Sequence, residues 1–198
     1  MAPAGALYCC SCCLLFLFLA GSGRANSAAA AAATNNNKPQ QLVQSTCNST
    51  TYYDVCVAAL AADPSTSTAA DVRGLCAIAV SAAATNASAA GASLLASAAA
   101  YQSQAPLLRA CAARYANARQ ALSSAQEAIK EEAYDYAFVH VSAAAEYPTM
   151  CRALFRRASS SSSSSQQRAY PSDLAKREEG LRRLCTVVLD IISLLLLP

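Results

Sequence analysis

Apolar residues recur at intervals of three and four from Leu107 to Ile129, which predicts one stripe along a helix of roughly six turns. A polar break, Lys130-Glu131-Glu132, follows, and a second stripe of the same spacing runs from Ala137 to Phe155. Two amphipathic helices joined by a short polar turn must run antiparallel to bury both stripes. The pattern therefore predicts a helical hairpin. Its stripes are Leu107, Cys111, Tyr115, Ala118, Leu122, Ala125 and Ile129, then Ala137, Val141, Ala144, Pro148, Cys151 and Phe155.

Two cysteines lie in these stripes. Cys111 is early in the first helix and Cys151 is late in the second, so the hairpin brings them close together. We interpret them as a disulfide that closes the open end of the hairpin. A bridge that closes a loop of about 41 residues stabilises the folded state by roughly 4 kcal/mol in the loop-entropy model.

A smaller unit precedes this hairpin. Eight residues separate Cys47 from Cys56, and a polar turn, Asn48-Ser49-Thr50-Thr51, follows the first cysteine. A short helix before Cys47 and a longer one through Cys56 would form a disulfide-stapled helical hairpin. Asp63-Pro64 ends that second helix, because the residue before a proline is disfavoured in the α conformation.

Two more long helices complete the predicted fold. Ser67 or Thr68 caps the first, which carries apolar positions at the same spacing from Val72 to Tyr101. The last follows Pro171 with a stripe from Leu174 to Leu195. Its apolar end is shorter than the roughly 20 residues of a membrane span, so a buried helix is favoured. The fold class is all-α: an up-down-up-down four-helix bundle with an N-terminal disulfide-stapled hairpin.

The flanking segments differ in composition. Residues 1–25 have a short apolar core followed by small residues, as a cleaved secretory signal peptide does; a retained membrane anchor is the alternative. Residues 26–39, rich in Ala and Asn, are predicted to be a disordered linker. The helical domain then covers residues 40–198, with a Ser-rich flexible loop at 158–171.

Composition narrows the class of protein. The net charge of +3 is too small to indicate nucleic-acid binding, and aromatic residues do not alternate with the basic ones. Of the ten cysteines, four precede residue 25, and removal of the signal peptide would leave six. Six cysteines in a secreted chain of this size indicate a disulfide framework. After signal cleavage, no contact with a membrane is expected.

The remaining cysteines and the sequons leave alternatives open. The first and last helices of an up-down bundle are neighbours, so Cys76 and Cys185 would form a third bridge or stay as two free buried thiols. Asn48-Ser49-Thr50 and Asn86-Ala87-Ser88 are glycosylation sequons. Asn48, on a turn, is the better placed of the two acceptors.

Catalytic and metal-binding chemistry is not indicated. The single histidine, His140, lies on a helix beside apolar residues, and neither a nucleophile-elbow motif nor HExxH is present. No cofactor is expected, and the protein is predicted not to be an enzyme. Acidic residues cluster near the hairpin turn, either as a solvated turn or as a surface for a partner. The predicted contact residues there are Lys130, Glu131, Glu132, Tyr134, Asp135 and Tyr136.

The chain resembles the plant invertase and pectin methylesterase inhibitor domain. The resemblance rests on Cys47 and Cys56 around Tyr52-Tyr53-Asp54-Val55, and on the Cys111 and Cys151 helices. It covers about residues 40–197. It implies a four-helix bundle with bridges Cys47–Cys56 and Cys111–Cys151. It also implies a secreted, non-enzymatic protein that binds a cell-wall enzyme one-to-one over its active cleft.

The resemblance also bears on the target. Invertase-directed members of that family share a Pro-Lys-Phe motif at the turn between the third- and fourth-cysteine helices. The corresponding residues here are Ala133-Tyr134-Asp135-Tyr136, which favours pectin methylesterase over acid invertase as the partner. An extracellular structural bundle with no enzyme target is the remaining alternative.

Overall fold

The computed structural model describes the backbone of residues 27–160 and 170–197, and the side chains of residues 38–160 and 170–197. This part of the chain is helical and contains no strand. The predicted signal peptide and most of the predicted Ser-rich loop lie outside the described residues. The helices are α1 (Ser27–Asn48), α2 (Tyr53–Ala61), α3 (Val72–Ala100), α4 (Ala105–Lys130), α5 (Tyr134–Glu146), α6 (Thr149–Ser160) and α7 (Ser172–Leu196).

Helices α3, α4, α5–α6 and α7 form the bundle. Each long helix packs on two others in the ring, α3 on α4 and α7, and α5 on α4 and α7. Short turns connect α3 to α4 and α4 to α5, so sequential helices run antiparallel. The prediction of an all-α four-helix bundle is confirmed.

The predicted stripes lie in the core of this bundle. From Cys111 to Ile129 every residue of the first stripe is buried, and so is every residue of the second stripe from Ala137 to Phe155. Leu107 is an exception: it is half-buried, and its neighbour Leu108 points inward. Large side chains that are fully buried there include Tyr115, Phe155, Leu75, Leu122, Ile129, Leu181, Ile191 and Ile192.

The second helix of the hairpin is broken at Pro148. The pattern predicted one helix across this position, but α5 ends at Glu146 and α6 begins at Thr149. Proline has no N–H to donate, and its ring clashes with the carbonyl of the preceding turn. The buried stripe continues across the break, because Pro148 is itself buried.

The helix starts also differ from the prediction. The N-cap of α3 is Asp71, not Ser67 or Thr68, and its Oδ1 accepts a hydrogen bond from the Gly74 N–H at 2.8 Å. The predicted linker at residues 26–39 is helical from Ser27 onward, because Ala has the highest helix propensity. At the other loop, α6 continues to Ser160.

By length and composition, α3 is the described helix that is apolar enough to span a membrane. In the structure one face of it, from Leu75 to Ala98, is buried in the bundle core. Buried helices of globular proteins can be as long and as apolar as a membrane span. The apolar composition of α3 therefore follows from its packing against α4 and α7.

Both proposed disulfides are present in the structure. Cys47 bonds to Cys56 with a Cα–Cα distance of 5.6 Å, and Cys111 bonds to Cys151 at 5.0 Å. The first joins α1 to α2. The second joins α4 to α6 at the open end of the hairpin.

Cys76 and Cys185 are free and buried, so of the two alternatives the structure has two free thiols and not a third bridge. In the antiparallel pair α3–α7, Ser81 and Thr85 line one groove together with Gly180 and Leu184. By this pairing Cys185 faces α3 near Val80, at least one turn beyond Cys76. A disulfide requires Cα atoms within about 7 Å. Burial raises the pKa of both thiols to about 12, which keeps them protonated and unreactive.

The chain re-enters the bundle at Tyr170. Its ring packs edge-to-face on Phe155 with centroids 5.3 Å apart, and the Arg152 guanidinium lies 5.1 Å from its centroid. The Tyr170 hydroxyl donates a 2.7 Å hydrogen bond to Glu178. Burial, together with this bond, raises the pKa of Tyr170 above its ordinary range. These contacts attach the start of α7 to α6.

The N-terminal hairpin is attached to α7 by polar contacts. The Thr51 N–H donates to Asp190 Oδ2 at 2.7 Å. The guanidinium groups of Arg182 and Arg183 lie 5.9 and 5.3 Å from the centroid of the Tyr52 ring. Both arginines also donate 2.7 Å hydrogen bonds to Glu179 Oε1, which holds the pKa of Glu179 at about 2.

We expect Glu179→Gln to lower the free energy of unfolding at neutral pH by about 1 kcal/mol, because these contacts are partly exposed to solvent. The folded-state pKa lies below its ordinary value of 4.5. The contribution is therefore complete above about pH 4.5 and is lost as the pH falls toward 2. Urea unfolding of both proteins across this range measures the difference. Glu131→Gln is the control, since Glu131 forms no ion pair in the described part. A difference that stays constant with pH would contradict the assignment.

Candidate functional site

The turn between α4 and α5 has a defined backbone geometry. Glu132 has a φ of 58°, in the left-handed region. The Ala133 N–H donates to the Ala128 carbonyl at 2.8 Å, and the Glu132 N–H donates to the Ile129 carbonyl at 3.2 Å. This pair of bonds is a Schellman motif, which normally places glycine at the left-handed position. The turn is therefore a fixed support for the side chains around it.

We expect Glu132→Gly to raise the free energy of unfolding by about 0.5–1 kcal/mol. A side chain in the left-handed region costs about 1–2 kcal/mol, which glycine avoids. The variant loses the exposed ion pair between Arg73 and Glu132, which contributes less than the strain that is relieved. Chemical denaturation measures the change, and Arg73→Gln measures the ion pair alone. A destabilised glycine variant would contradict this account of the turn.

Charges at the turn are partly paired. Lys130 Nζ lies 2.8 Å from Glu127 Oε1, and Arg73 reaches from α3 to Glu132. Within the described residues, Glu131 and Asp135 form no ion pair and are exposed. The turn therefore presents unpaired negative charge to solvent.

One of the six predicted contact residues is placed differently from the prediction. Lys130, Glu131, Glu132, Asp135 and Tyr136 are exposed at the turn, as the pattern indicated. Tyr134 is not: its side chain is partly buried and packs against the core. Tyr134 therefore contributes less to the exposed surface of the turn than the other five residues.

Two further residues belong to this surface and were missed by the sequence analysis. Val139 is 63% exposed and Phe138 is 38% exposed, next to Tyr136 at 70%. The inward stripe of α5 passes through Ala137 and Val141, so these large apolar side chains sit off the stripe. That position was the signal in the sequence that could have identified them. We call Asp135, Tyr136, Phe138 and Val139 the outer α5 face.

The outer α5 face has the character of a protein-binding surface. Exposed aromatic and aliphatic side chains beside polar rim residues are typical of interaction sites. The face lies on a helix whose opposite side is buried, and the fixed turn leads into it. The arrangement can therefore bind a partner at little cost in ordering.

The two sequon asparagines lie apart from this surface, on α1 and α3. Asn48 is exposed at the end of α1, and Asn86 is half-buried in the middle of α3. His140 is half-buried on α5. Among the described residues, no group of His, Cys, Asp and Glu side chains is arranged to hold a metal ion.

Comparisons with known proteins agree on one family. Residues 41–191 match the family described as plant invertase/pectin methylesterase inhibitor. The chain is 57% identical over 164 residues to Pectinesterase inhibitor 28 of Oryza sativa subsp. japonica, an alignment covering 78% of this chain and 69% of that protein. It is 38% identical over 155 residues to Cell wall / vacuolar inhibitor of fructosidase 2 of Arabidopsis thaliana, covering 77% and 82%. The family match includes both disulfide pairs and helices α2–α6. The chain belongs to the plant invertase/pectin methylesterase inhibitor family.

Proposed function

We propose that this protein is a secreted, non-catalytic inhibitor of a pectin methylesterase. It binds the enzyme one-to-one and places the outer α5 face and the adjoining turn over the substrate cleft. The observation that carries the binding mode is the exposure of Tyr136 and Val139 on a helix held by a fixed turn. Such aromatic and aliphatic anchors supply most of the binding energy in protein complexes.

The choice of pectin methylesterase has two supports. The relative at 57% identity is named a pectinesterase inhibitor. In addition, residues 133–136 read Ala-Tyr-Asp-Tyr, without the Pro-Lys-Phe motif that the family resemblance associates with invertase. Both supports concern which enzyme is bound, and neither depends on the geometry of the bundle.

An acid invertase is the second candidate, because the relative at 38% identity is named an inhibitor of fructosidase. The two candidate enzymes act on different substrates, so two assays with the same purified inhibitor distinguish them. The protein is titrated against a plant pectin methylesterase with methanol release as readout, and against an acid invertase with sucrose hydrolysis as readout.

We expect loss of methanol release at close to one equivalent of inhibitor and no change in sucrose hydrolysis. The reverse result would assign invertase as the target. Full activity of both enzymes at micromolar excess would refute the proposal and favour a structural bundle without an enzyme target. Incubation of the protein alone with pectin or sucrose tests the non-catalytic assignment, since any turnover would contradict it.

A further inference from the structure

A groove runs between α2, α3 and α7 on the side of the bundle opposite α4 and α5. The ring places α3 next to α7 and α4 next to α5, and α2 packs on α3 and α7. The volume of the groove is about 610 Å³, within the range of small-molecule sites. Residues with little or no side chain leave this space open, namely Ala58, Ala59, Ala62, Ala82, Ala89 and Gly180. The groove is a concave site separate from the outer α5 face.

Gly180 has no packing role that the described residues explain. It lies in the interior of α7, where glycine destabilises a helix relative to alanine. Apart from the adjoining backbone, a Cβ built on Gly180 would meet no atom of the described part of the chain within 4 Å. A Cβ on Gly91, by contrast, would lie 3.6 Å from Tyr115, as expected where two helices pack closely. The open space beside Gly180 is therefore room that the folded chain does not fill.

Asn86 lines the same groove and is the acceptor of the sequon Asn86-Ala87-Ser88. It lies on the face of α3 that presents Ala82 and Ala89 to the groove, at helical spacings of four and three. Its amide forms no hydrogen bond to the other described residues, yet it is not among the buried unpaired groups, so solvent reaches it. A substituent on Asn86 Nδ2 can therefore enter the groove.

The remaining lining suits a neutral sugar ring. A sugar presents C–H groups on its faces and hydroxyls at its edge, so it needs apolar and polar partners together. Val55 and the alanines offer apolar surface, while Thr85, Asp63 and Arg183 offer hydrogen-bonding groups. Asp63 Oδ1 accepts bonds from Ser65, whereas Asp63 Oδ2 has no donor among the described residues. One carboxylate and one guanidinium leave the groove without net charge, which favours a neutral ligand over an ion.

We propose that Asn86 carries an N-linked glycan whose first sugar, a neutral N-acetylated amino sugar, occupies this groove. In the transfer, Asn86 Nδ2 bonds to the anomeric carbon of an oligosaccharide held on a lipid pyrophosphate. The bond from that carbon to the pyrophosphate oxygen breaks, one amide hydrogen leaves as a proton, and the lipid pyrophosphate is released. This donor belongs to the secretory pathway, so the modification rests on the secretion included in the proposed function.

Transfer must precede the folding of α3. In the folded helix the Ser88 hydroxyl donates a 3.0 Å hydrogen bond to the Ala84 carbonyl, so it is not available to the Asn86 amide. The unfolded chain has no such constraint. Once α3 forms, the attached sugar lies between α2, α3 and α7 and joins the N-terminal hairpin to the bundle, while the outer α5 face stays open on the opposite side.

Expression of the full chain in a secreting yeast, followed by peptide mass spectrometry, tests the modification. We expect the peptide that contains Asn86 to carry a glycan, which Ser88→Ala removes while it keeps the asparagine. A secreted protein with an unmodified Asn86 would overturn this inference alone. A chain that does not enter the secretory pathway would overturn it together with the secretion in the proposed function.

Digestion with a peptide N-glycosidase tests whether the first sugar is seated in the groove. This enzyme cleaves the bond at Nδ2, so it must reach that sugar. We expect release from Asn86 to be at least about tenfold slower in the native protein than in the unfolded protein, since release requires local opening. A glycan on Asn48, which is exposed at the end of α1, is the control and should show a smaller difference. Equal release from native and unfolded Asn86 would overturn the seating.

Gly180→Leu gives an independent test, because a leucine side chain would fill the space beside α7. We expect this variant to release the Asn86 glycan within about twofold of the rate for unfolded protein. Ala113→Leu is the matched control, since Ala113 is exposed in a different groove between α3 and α4, and should keep the protection. Continued protection in Gly180→Leu would overturn the assignment of the sugar to this groove.

Inhibition of the target enzyme is measured in parallel. The inhibition constant of Asn86→Gln should lie within about twofold of the wild type, because the groove faces away from the outer α5 face. A large loss of inhibition in Asn86→Gln would contradict the separation of the two sites. A protein that inhibits normally without the glycan would reject only this inference, and one with a protected glycan that does not inhibit would reject only the proposed target.

Discussion

Replacing Cys111 and Cys151 by serine is expected to lower the free energy of unfolding by about 4 kcal/mol, because the bridge closes a long loop in the unfolded chain. Both sulfur atoms are buried between α4 and α6, so two polar hydroxyls in their place add to the loss. A small domain is stable by only about 5–15 kcal/mol, and the change is a large part of that. Urea unfolding monitored by far-UV circular dichroism measures it.

The second disulfide provides the matched control. Cys47→Ser/Cys56→Ser opens a loop of about ten residues and should cost about 2.5–3 kcal/mol, less than the first pair. This substitution affects the attachment between α1 and α2, outside the bundle ring. If Cys47→Ser/Cys56→Ser lowered the free energy of unfolding more than replacement of Cys111 and Cys151 does, loop entropy would not be the main source of the stabilisation.

The variant with Cys111 and Cys151 replaced by serine should also weaken inhibition. Without the bond between Cys111 and Cys151, α6 is held to α4 by packing alone, and the hairpin that carries the outer α5 face becomes less ordered before binding. We expect a loss of roughly threefold to tenfold in potency, which corresponds to an added ordering cost of about 1 kcal/mol. Unchanged potency of the folded variant would refute the requirement for a rigid hairpin.

The largest functional effect is expected from Tyr136→Ala/Val139→Ala. Each side chain is more than half exposed, so truncation removes little from the folded core. If both are anchors in the enzyme complex, each contributes about 1–2 kcal/mol, and the double variant should inhibit at least about thirtyfold less well. The inhibition constant from methanol release measures the loss, and unfolding experiments should show near-normal stability.

Two exposed residues elsewhere supply controls of the same type. Tyr101 and Leu95 are 63% and 54% exposed, on or beside α3 and away from α5. Tyr101→Ala and Leu95→Ala should leave the inhibition constant within about twofold of the wild type. Equal losses of inhibitory potency at both surfaces would indicate that the α3 side also contacts the enzyme. If Tyr136→Ala/Val139→Ala inhibited as strongly as the wild type, the outer α5 face would not be the binding surface.

Most of the helical bundle could be predicted from the spacing of apolar residues along the sequence. Apolar residues at intervals of three and four identified the buried face of α4 and of α5–α6, because one side of a helix repeats with that period. The positions of Cys111 and Cys151 within antiparallel helices placed them at one level. Such information is local, or depends only on the direction of neighbouring helices, and is therefore present in the sequence.

The candidate site was only partly predictable. The polar break located the turn, but Tyr134 turned inward while Phe138 and Val139 turned outward. The break at Pro148 divides the predicted helix into α5 and α6, and the spacing carried no sign of it since the stripe continues through the proline. Exposure of a side chain depends on which neighbouring helices cover it.

By itself, then, the sequence determined the helical class, the buried stripes and the two disulfide pairs, since each depends on helix period and on short connections. The tertiary structure decided that Cys76 and Cys185 stay apart, because the offset between α3 and α7 depends on how their side chains interlock. It also decided which large side chains of α5 stay exposed, because neighbouring helices cover the others. Residues far apart in sequence meet only through packing, and their distances follow from the shape of the whole core.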